Sequence, residues 1–389
     1  MTYTVTETSN DLSTPLLSCV TGRKPVKVVL LLQDLYYGGT QSQTLELAKR
    51  LDRRFFDVEI WCLIGGNDLA PRAEQYGIPV TWLTAKPGVG PHILWPLWKK
   101  LKQGGVDILL PLTVVPNIWG RIFGRLAKTP VIVGACRGGD ALPKQHERFL
   151  WRLADHHMCN TTELKRQLTG RLGIAADRVT VIANGVDTDK FVPPAKEFRP
   201  VRQVILCVAR FAPAKDHETL LKAFQIVAPH FPAAELWMVG EGPLKANISK
   251  LAARSRLSGR MRIYDGTLNL IPFYHQASIL ALSSVEEGLP NVVLEGMACG
   301  LPVVATNVGG LPDAILPGKT GELVSPGDPE ALARALMGLL ADEEKRLAMG
   351  EAGRARALHE YSLAAMMRRH EAMFTELLVA KGIWRPAQS

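Results

Sequence analysis

Two glutamates, Glu287 and Glu295, bracket the seven residues Gly288-Leu289-Pro290-Asn291-Val292-Val293-Leu294. The segment follows a buried-strand pattern, Ser278 to Ser283, and runs into a helix-like stretch, Asn291 to Cys299. Glu287 falls in the loop, Pro290 stands where a helix accepts proline at its first turn, and Glu295 lies about one turn further in. A strand, a tight turn and a helix start make an anion site, because the first amides lack intrahelical acceptors and the helix dipole favours negative charge. A carboxylate one turn deeper cannot bind the phosphate itself, but it suits sugar hydroxyls. The pattern therefore reads as a site for a phosphate joined to a ribose. Two solvated glutamates flanking a buried helix would give the same spacing.

A second constellation lies upstream. The strand-like run Val204 to Val208 ends in Ala209-Arg210-Phe211-Ala212-Pro213-Ala214-Lys215. Arg210 and Lys215, five apart on a loop after a strand, can converge on one diphosphate, or they can simply be a solvated basic loop. Gly38 and Gly39 follow the first strand-like run, Val26 to Leu32. Gly240-Glu241-Gly242-Pro243 follows the run Glu235 to Val239, but lacks the third glycine of a dinucleotide fingerprint. Asp187-Thr188-Asp189 spells a metal-binding Asp-x-Asp, yet its surroundings fit a turn, where aspartates cap their own backbone. No other carboxylate or histidine cluster has metal-ligand spacing.

These residues need elements to position them. Apolar runs read as strands buried on both faces: Val26 to Leu32, Val58 to Ile64, Val80 to Leu83, Asp107 to Leu110, Val131 to Ala135 and Val179 to Ile182. Helical patterns separate them, among them Gln41 to Leu51, Leu94 to Lys102, Asn117 to Ala127 and Arg148 to Ala154. The alternation implies a parallel, doubly wound sheet. It restarts at Val204, with strands Val204 to Val208, Glu235 to Val239, Arg262 to Tyr264, Ile279 to Ser283 and Val303 to Ala305. Asp187 to Arg202, with Pro193-Pro194 and Pro200, has the composition of a linker. At 389 residues two domains are the natural expectation.

The stretch from Ser283 to Ala333, SSVEEGLPNVVLEGMACGLPVVATNVGGLPDAILPGKTGELVSPGDPEALA, resembles the signature region of the retaining glycosyltransferases of family 4. The resemblance continues through VARFAPAKDHETLLKAF, VGEGPLKANISKLA and IANGVDTDKF, and it covers residues 26 to 380. It implies an α/β protein of GT-B fold, with two Rossmann-like doubly wound domains facing a central cleft. Residues 1–24 would be a mobile leader, 25–190 the acceptor domain, 191–363 the nucleotide-sugar domain, and 364–389 would cross back to the first domain. The implied activity is transfer of a sugar from a nucleotide diphosphate sugar to an acceptor hydroxyl in polysaccharide, lipopolysaccharide or glycolipid assembly. A nucleotide-sugar epimerase of the same fold, or a non-catalytic nucleotide-sugar-binding subunit, is the rival.

Residue by residue, the resemblance gives Arg210 and Lys215 to the leaving diphosphate, Glu295 to the ribose and Glu287 to the donor sugar. Glu286 neighbours it, but the spacing to Glu295 selects Glu287. Backbone around Gly288, Leu289, Pro290, Asn291 and Val292 would hold the distal phosphate, with Gly38 and Gly39 approaching from the other domain and Gly240 near the nucleotide. No metal or cofactor is expected. One departure stands out: many members carry a histidine just after the fifth strand, where this chain has Arg137. An arginine cannot act as a base; it can bind a phosphate or a carboxylate, or pair with Asp140. His156 and His157 read as structural.

Composition narrows the partners. Six cysteines are scattered with no CxxC spacing, which fits buried reduced thiols in a cytoplasmic protein. Leu16-Leu17-Ser18-Cys19 lacks the basic and apolar regions of a signal peptide. No run approaches the ~18 apolar residues of a membrane span. The net charge of +9 is uneven: residues 1–190 hold 24 Lys+Arg against 17 Asp+Glu, and the remainder 22 against 20. That surplus fits an anionic membrane surface or a lipid-linked acceptor, and ordinary surface charge as well. Trp95 and Trp98 beside Lys99, Lys100 and Lys102 are the candidate contact, peripheral on the inner membrane face; both tryptophans would equally fill the core of an amphipathic helix. Nucleic acid is disfavoured, because no basic stripe with interleaved aromatics appears.

Overall fold

A computed structural model describes residues 25–137, 147–195 and 203–385. The leader 1–24, Asp140, linker residues 196–202 and the final four residues lie outside the described residues. The first unit holds β1 (Val26–Leu32), β2 (Phe56–Cys62), β3 (Val80–Trp82), β4 (Ile108–Pro111), β5 (Val131–Cys136), β6 (His156–Cys159) and β7 (Val179–Val181). They form one sheet in the order β3-β2-β1-β4-β5-β6-β7, every described pairing being parallel. β1 is apolar throughout except for Lys27, as burial on both faces requires.

The second unit repeats the plan with β8 (Gln203–Val208), β9 (Ala234–Val239), β10 (Met261–Tyr264), β11 (Ile279–Leu282), β12 (Val303–Thr306) and β13 (Gly321–Val324). Their order is β10-β9-β8-β11-β12-β13. Both orders turn back at a switch point beside the first strand, where sheets of this kind bind ligands outside their carboxyl ends. Helices cover both faces; those starting at Thr162, His217, Pro329, Glu343 and Leu363 are each capped by the preceding Thr161, Asp216, Asp328, Asp342 or Ser362 side chain, worth about 1 kcal/mol apiece.

The chain crosses between units twice, at adjacent places. The Val186 amide donates to the Tyr361 carbonyl at 2.7 Å and the Leu363 amide to the Val186 carbonyl at 3.0 Å. Beyond this bridge the helix Leu363–Ala380 joins the first unit's core through Met366, Met373, Phe374 and Leu378. Phe374 and Trp384 meet Phe56 at 5.9 and 5.5 Å between ring centroids, and Lys381 pairs with Asp155 at 2.6 Å.

Three readings are corrected. The helix expected over Arg148 to Ala154 is a single turn, Glu147–Leu150, followed by the 3₁₀ turn Trp151–Leu153, because Ala154 goes extended into β6. Pro290 is the N-cap, just outside the first turn it was assigned to, while the helix Asn291–Ala298 opens at Asn291 as expected. Of the proposed membrane contact, Trp95, Lys99 and Lys102 are exposed, but Trp98 packs on Phe123 at 6.0 Å and Lys100 turns to Glu59 at 3.8 Å.

Candidate active site

The carboxyl ends of the two sheets face each other across a cleft of about 430 Å³. Glu287 sits at its floor on the loop after β11, 7 % exposed. Its Oε1 accepts from Lys215 Nζ at 2.5 Å and from Ser284 Oγ at 2.7 Å. Lys215 ends the 3₁₀ turn Pro213–Lys215, and Asp216 turns left-handed (φ 43°) to cap the helix His217–Val227. Ser283 Oγ clamps that turn, placed 3.1 Å from the Lys215 carbonyl and 2.7 Å from that of Asp216. Arg210 is exposed on the same loop, with no acidic partner among the described residues.

The helix Asn291–Ala298 aims its first turn into the cleft. The amides of Asn291 and Val292 have no intrahelical acceptor by helix geometry. Opposite it, Gly38 is the N-cap of the helix Gly39–Arg50, and a methyl on Gly39 would lie 3.6 Å from Asn291 Nδ2. Two helix N-termini thus converge from the two domains, a combination suited to an anion. Glu295 is half-buried, and its Oε2 accepts from the buried Tyr274 hydroxyl at 2.8 Å. Burial pushes the Glu295 carboxyl above its usual range, against the hydroxyl bond and Lys190, which hold it down.

Sequence models of known families match both halves: glycosyltransferase family 4 over residues 37–190 and glycosyl transferases group 1 over 190–356. The lipopolysaccharide core biosynthesis glycosyltransferase LpsE of Rhizobium meliloti is 30 % identical over 276 residues, 67 % of this chain and 78 % of LpsE. The chain belongs to glycosyltransferase family 4. Another similar protein is the sulfoquinovosyl transferase SQD2 of Arabidopsis thaliana, 34 % identical over 223 residues. That match spans 53 % of this chain but only 42 % of the plant protein. The Anabaena protein HepE, crystallised with UDP, superposes with a TM-score of 0.78 at 19 % identity, over 90 % of this chain and 100 % of HepE. The shared fold is GT-B.

In this family 4 chain, Gly38, Gly39, Arg137, Arg210, Lys215 and the run Glu287 to Val292 all line the one cleft, as does Glu295. Gly240 lies instead in an adjoining cavity, with Arg210, Val292, Tyr37, Gly266 and Thr267. A Cβ at Gly240 would come 2.0 Å from the Ala209 carbonyl oxygen, so glycine there lets the ends of β8 and β9 approach. Asp187 accepts from the amides of Asp189 and Lys190 at 3.2 and 3.1 Å and meets Arg50 at 3.3 Å, the geometry of a linker turn. Among the described residues no group of three or more His, Cys, Asp or Glu is placed to hold a metal.

His156 and His157 lie on β6, bonded to Thr180 Oγ1 and the Trp151 carbonyl, and burial pushes both down to about 4. The five described cysteines are unbridged and buried. No helix among the described residues is long and apolar enough to cross a membrane.

Several contributors escaped the sequence reading. Tyr274 orients Glu295, and Ser284 shares Glu287 with Lys215. Gln43 is buried and grips the Gly185 carbonyl (2.8 Å) and amide (2.9 Å) while reaching Asn291 Oδ1 at 3.3 Å. Gly309 and Gly310 back the Glu287 loop: a Cβ on Gly309 (φ 56°) would fall 1.8 Å from the Glu287 carbonyl oxygen. The Gly-Gly pair after β12 was a readable signal for this close approach. Gln43 and Tyr274 carried none, since only the tertiary fold brings them to the cleft.

Proposed function

We propose that the chain transfers a sugar, with retention at the anomeric carbon, from a nucleoside diphosphate sugar to an acceptor hydroxyl. The observation that carries this reading is Lys215 held on Glu287 at 2.5 Å, beside two helix N-termini. In this scheme Arg210, Lys215 and the amides of Asn291 and Val292 take the diphosphate, and Glu295 takes the ribose hydroxyls. The base lies in the adjoining cavity by Gly240, and Glu287 sits beside the donor sugar.

As the bond from the anomeric carbon to the distal phosphate oxygen breaks, negative charge grows on the diphosphate. Preorganised cations and amides stabilise that charge more than they stabilise the intact donor. The acceptor hydroxyl bonds to the same face of the anomeric carbon, and its proton passes to the leaving phosphate oxygen. That route needs no protein base and no metal. Closure of the two domains would exclude water and align the acceptor.

The acceptor is proposed to be a glycolipid or lipopolysaccharide precursor met at the cytoplasmic membrane face. Support comes from the basic first half and from the exposed side chains of Trp95, Lys99, Lys102, Leu126 and Phe149, all on that domain. A thermal-shift screen against UDP-, GDP- and ADP-sugars tests the donor class, with acceptor screening to follow on the best donor. HepE, with its UDP, makes UDP-sugars the first to try. No stabilisation by any of the three classes would count against the reading.

A further inference from the structure

Arg137, Asn160 and Asn184 stand in a row on the wall of the cleft formed by the first domain. Arg137 directly follows β5 and Asn160 directly follows β6, whose last residues, Cys136 and Cys159, are paired in register. Their backbones are therefore about one strand spacing apart, ~4.8 Å. Asn184 follows β7, the next strand.

Each presents a buried polar atom without a protein partner: Arg137 Nε, Asn160 Oδ1 and Asn184 Oδ1. Asn160 and Asn184 are only 5 % and 7 % exposed. Amide orientation is fixed for Asn184. The Gly185 backbone sets the Gln43 amide, Gln43 Nε2 then makes the facing Asn291 atom an oxygen, and Asn184 Nδ2 donates to it at 2.9 Å and to the Leu289 carbonyl at 2.7 Å. The free atom of Asn184 is thereby an acceptor. Buried polar atoms in native proteins are nearly always satisfied, by protein, ordered water or ligand, so these three on the cleft wall are open to a ligand that can replace water.

Charge points the same way. Among the described residues Arg137 has no acidic partner, and burial pulls its guanidinium down to about 10. Its ionisable neighbour His370 is buried and neutral, bonded through Nδ1 to the Met366 carbonyl and pushed down to about 3. The two carboxylates of the cleft are already engaged, Glu287 by Lys215 and Glu295 by Tyr274. Among the described residues Arg137 is thus a cation with no acidic partner, and the cleft wall it lines also carries the two asparagine oxygens. A diphosphate, all acceptor, would meet those amide oxygens unfavourably. A sugar that carries one anionic group beside its hydroxyls matches them: the anion accepts from Nε–H, and the hydroxyls donate to the asparagines.

We infer that Arg137, Asn160 and Asn184 form a subsite for an acidic sugar, one bearing a carboxylate or phosphate, as one of the two sugars that meet in the cleft. The inference rests on the transferase reading and specifies its substrate class. The test uses the full chain and titration calorimetry. The nucleoside diphosphate that binds best among UDP, GDP and ADP is found first. The donor arm then compares its glucuronate and glucose conjugates. The acceptor arm compares glucose 6-phosphate and glucuronate with glucose, in the presence of that nucleoside diphosphate.

In one arm the wild type binds the charged probe at least about tenfold more tightly than the neutral one. Arg137→Met abolishes that preference while leaving the affinity for the nucleoside diphosphate alone within about twofold, and Arg137→Lys, which keeps a charge but loses the Nε–H, retains part of it. The absence of a charge preference in both arms for wild type overturns the inference, whether or not the variants fold. So does a preference that survives Arg137→Met, or a loss of nucleoside diphosphate binding in Arg137→Met as large as in Arg210→Ala. Failure of UDP, GDP and ADP all to bind would overturn the transferase reading along with it.

Discussion

Lys215 Nζ lies 2.5 Å from Glu287 Oε1, and the pair is nearly sealed, with side chains 23 % and 6 % exposed. Arg210, on the same loop, is exposed and has no such partner among the described residues. Two cations given the same chemical task are therefore tied to the fold very differently. Lys215 is positioned by an acid that must stay paired, and Arg210 is held by its loop alone.

Lys215→Ala and Arg210→Ala should each lower turnover by about 10² to 10³, as loss of a transition-state electrostatic donor does. Only Lys215→Ala should lower the melting temperature, because it strands a buried carboxylate, whereas the exposed Arg210 leaves nothing unpaired. Adding Glu287→Gln to Lys215→Ala should recover much of that stability. Kinetics and thermal melts on the four variants check this; equal melting temperatures for the two alanine variants would contradict it.

Glu295 gives a pH dependence with a definite sign. Its folded-state affinity for a proton is raised by burial, so ionisation costs stability that is present at low pH and lost as pH rises through its folded pKa. Glu295→Gln should therefore gain stability over wild type as pH rises from the ordinary carboxylate range up to that point, hold the gain above it, and show none well below that range. Tyr274→Phe removes the hydroxyl that favours the carboxylate, so the midpoint should move to higher pH. Nucleoside diphosphate affinity measured against pH should follow the same midpoint in both proteins. A midpoint that stays put in Tyr274→Phe would mean that Tyr274 does not tune Glu295.

Activity should persist in excess EDTA. Asp187 is occupied by two backbone amides and Arg50, which leaves the Asp-x-Asp poorly set for a cation. Complete loss on chelation, restored by magnesium or manganese, would reverse that assignment.

Liposome co-sedimentation tests the membrane face. Binding should require anionic lipid, weaken with salt as the Debye length shrinks to about 8 Å at physiological ionic strength, and fall when Lys99 and Lys102 become glutamate. Trp95→Glu should act with them, while Lys100→Glu should act chiefly through its lost contact with Glu59. Equal pelleting with neutral and anionic vesicles would favour a soluble acceptor.

Much of the cleft was legible because its residues are local to strand ends. Glu287 and Glu295 are spaced by one loop and one helical turn, and Arg210 and Lys215 follow one strand, so their spacing allows the site and the family resemblance selects it over solvated charges. The supports were not legible. Tyr274 reaches Glu295 from another helix, and Gln43 reaches Asn291 from another domain. Pairings over such separations are decided by packing, which no spacing rule records. Arg137 was visible as a departure from the family pattern. Its orphaned Nε, beside the asparagine oxygens, became visible only once the ends of β5, β6 and β7 were aligned.

The transfer reaction is tested most directly by release of free nucleoside diphosphate from the donor sugar that most stabilises the protein, measured with acceptor present. The account predicts steady release that depends on acceptor and falls by about 10² or more in Lys215→Ala. A donor that binds tightly but releases no nucleoside diphosphate with any acceptor, or release undiminished in folded Lys215→Ala, would contradict it.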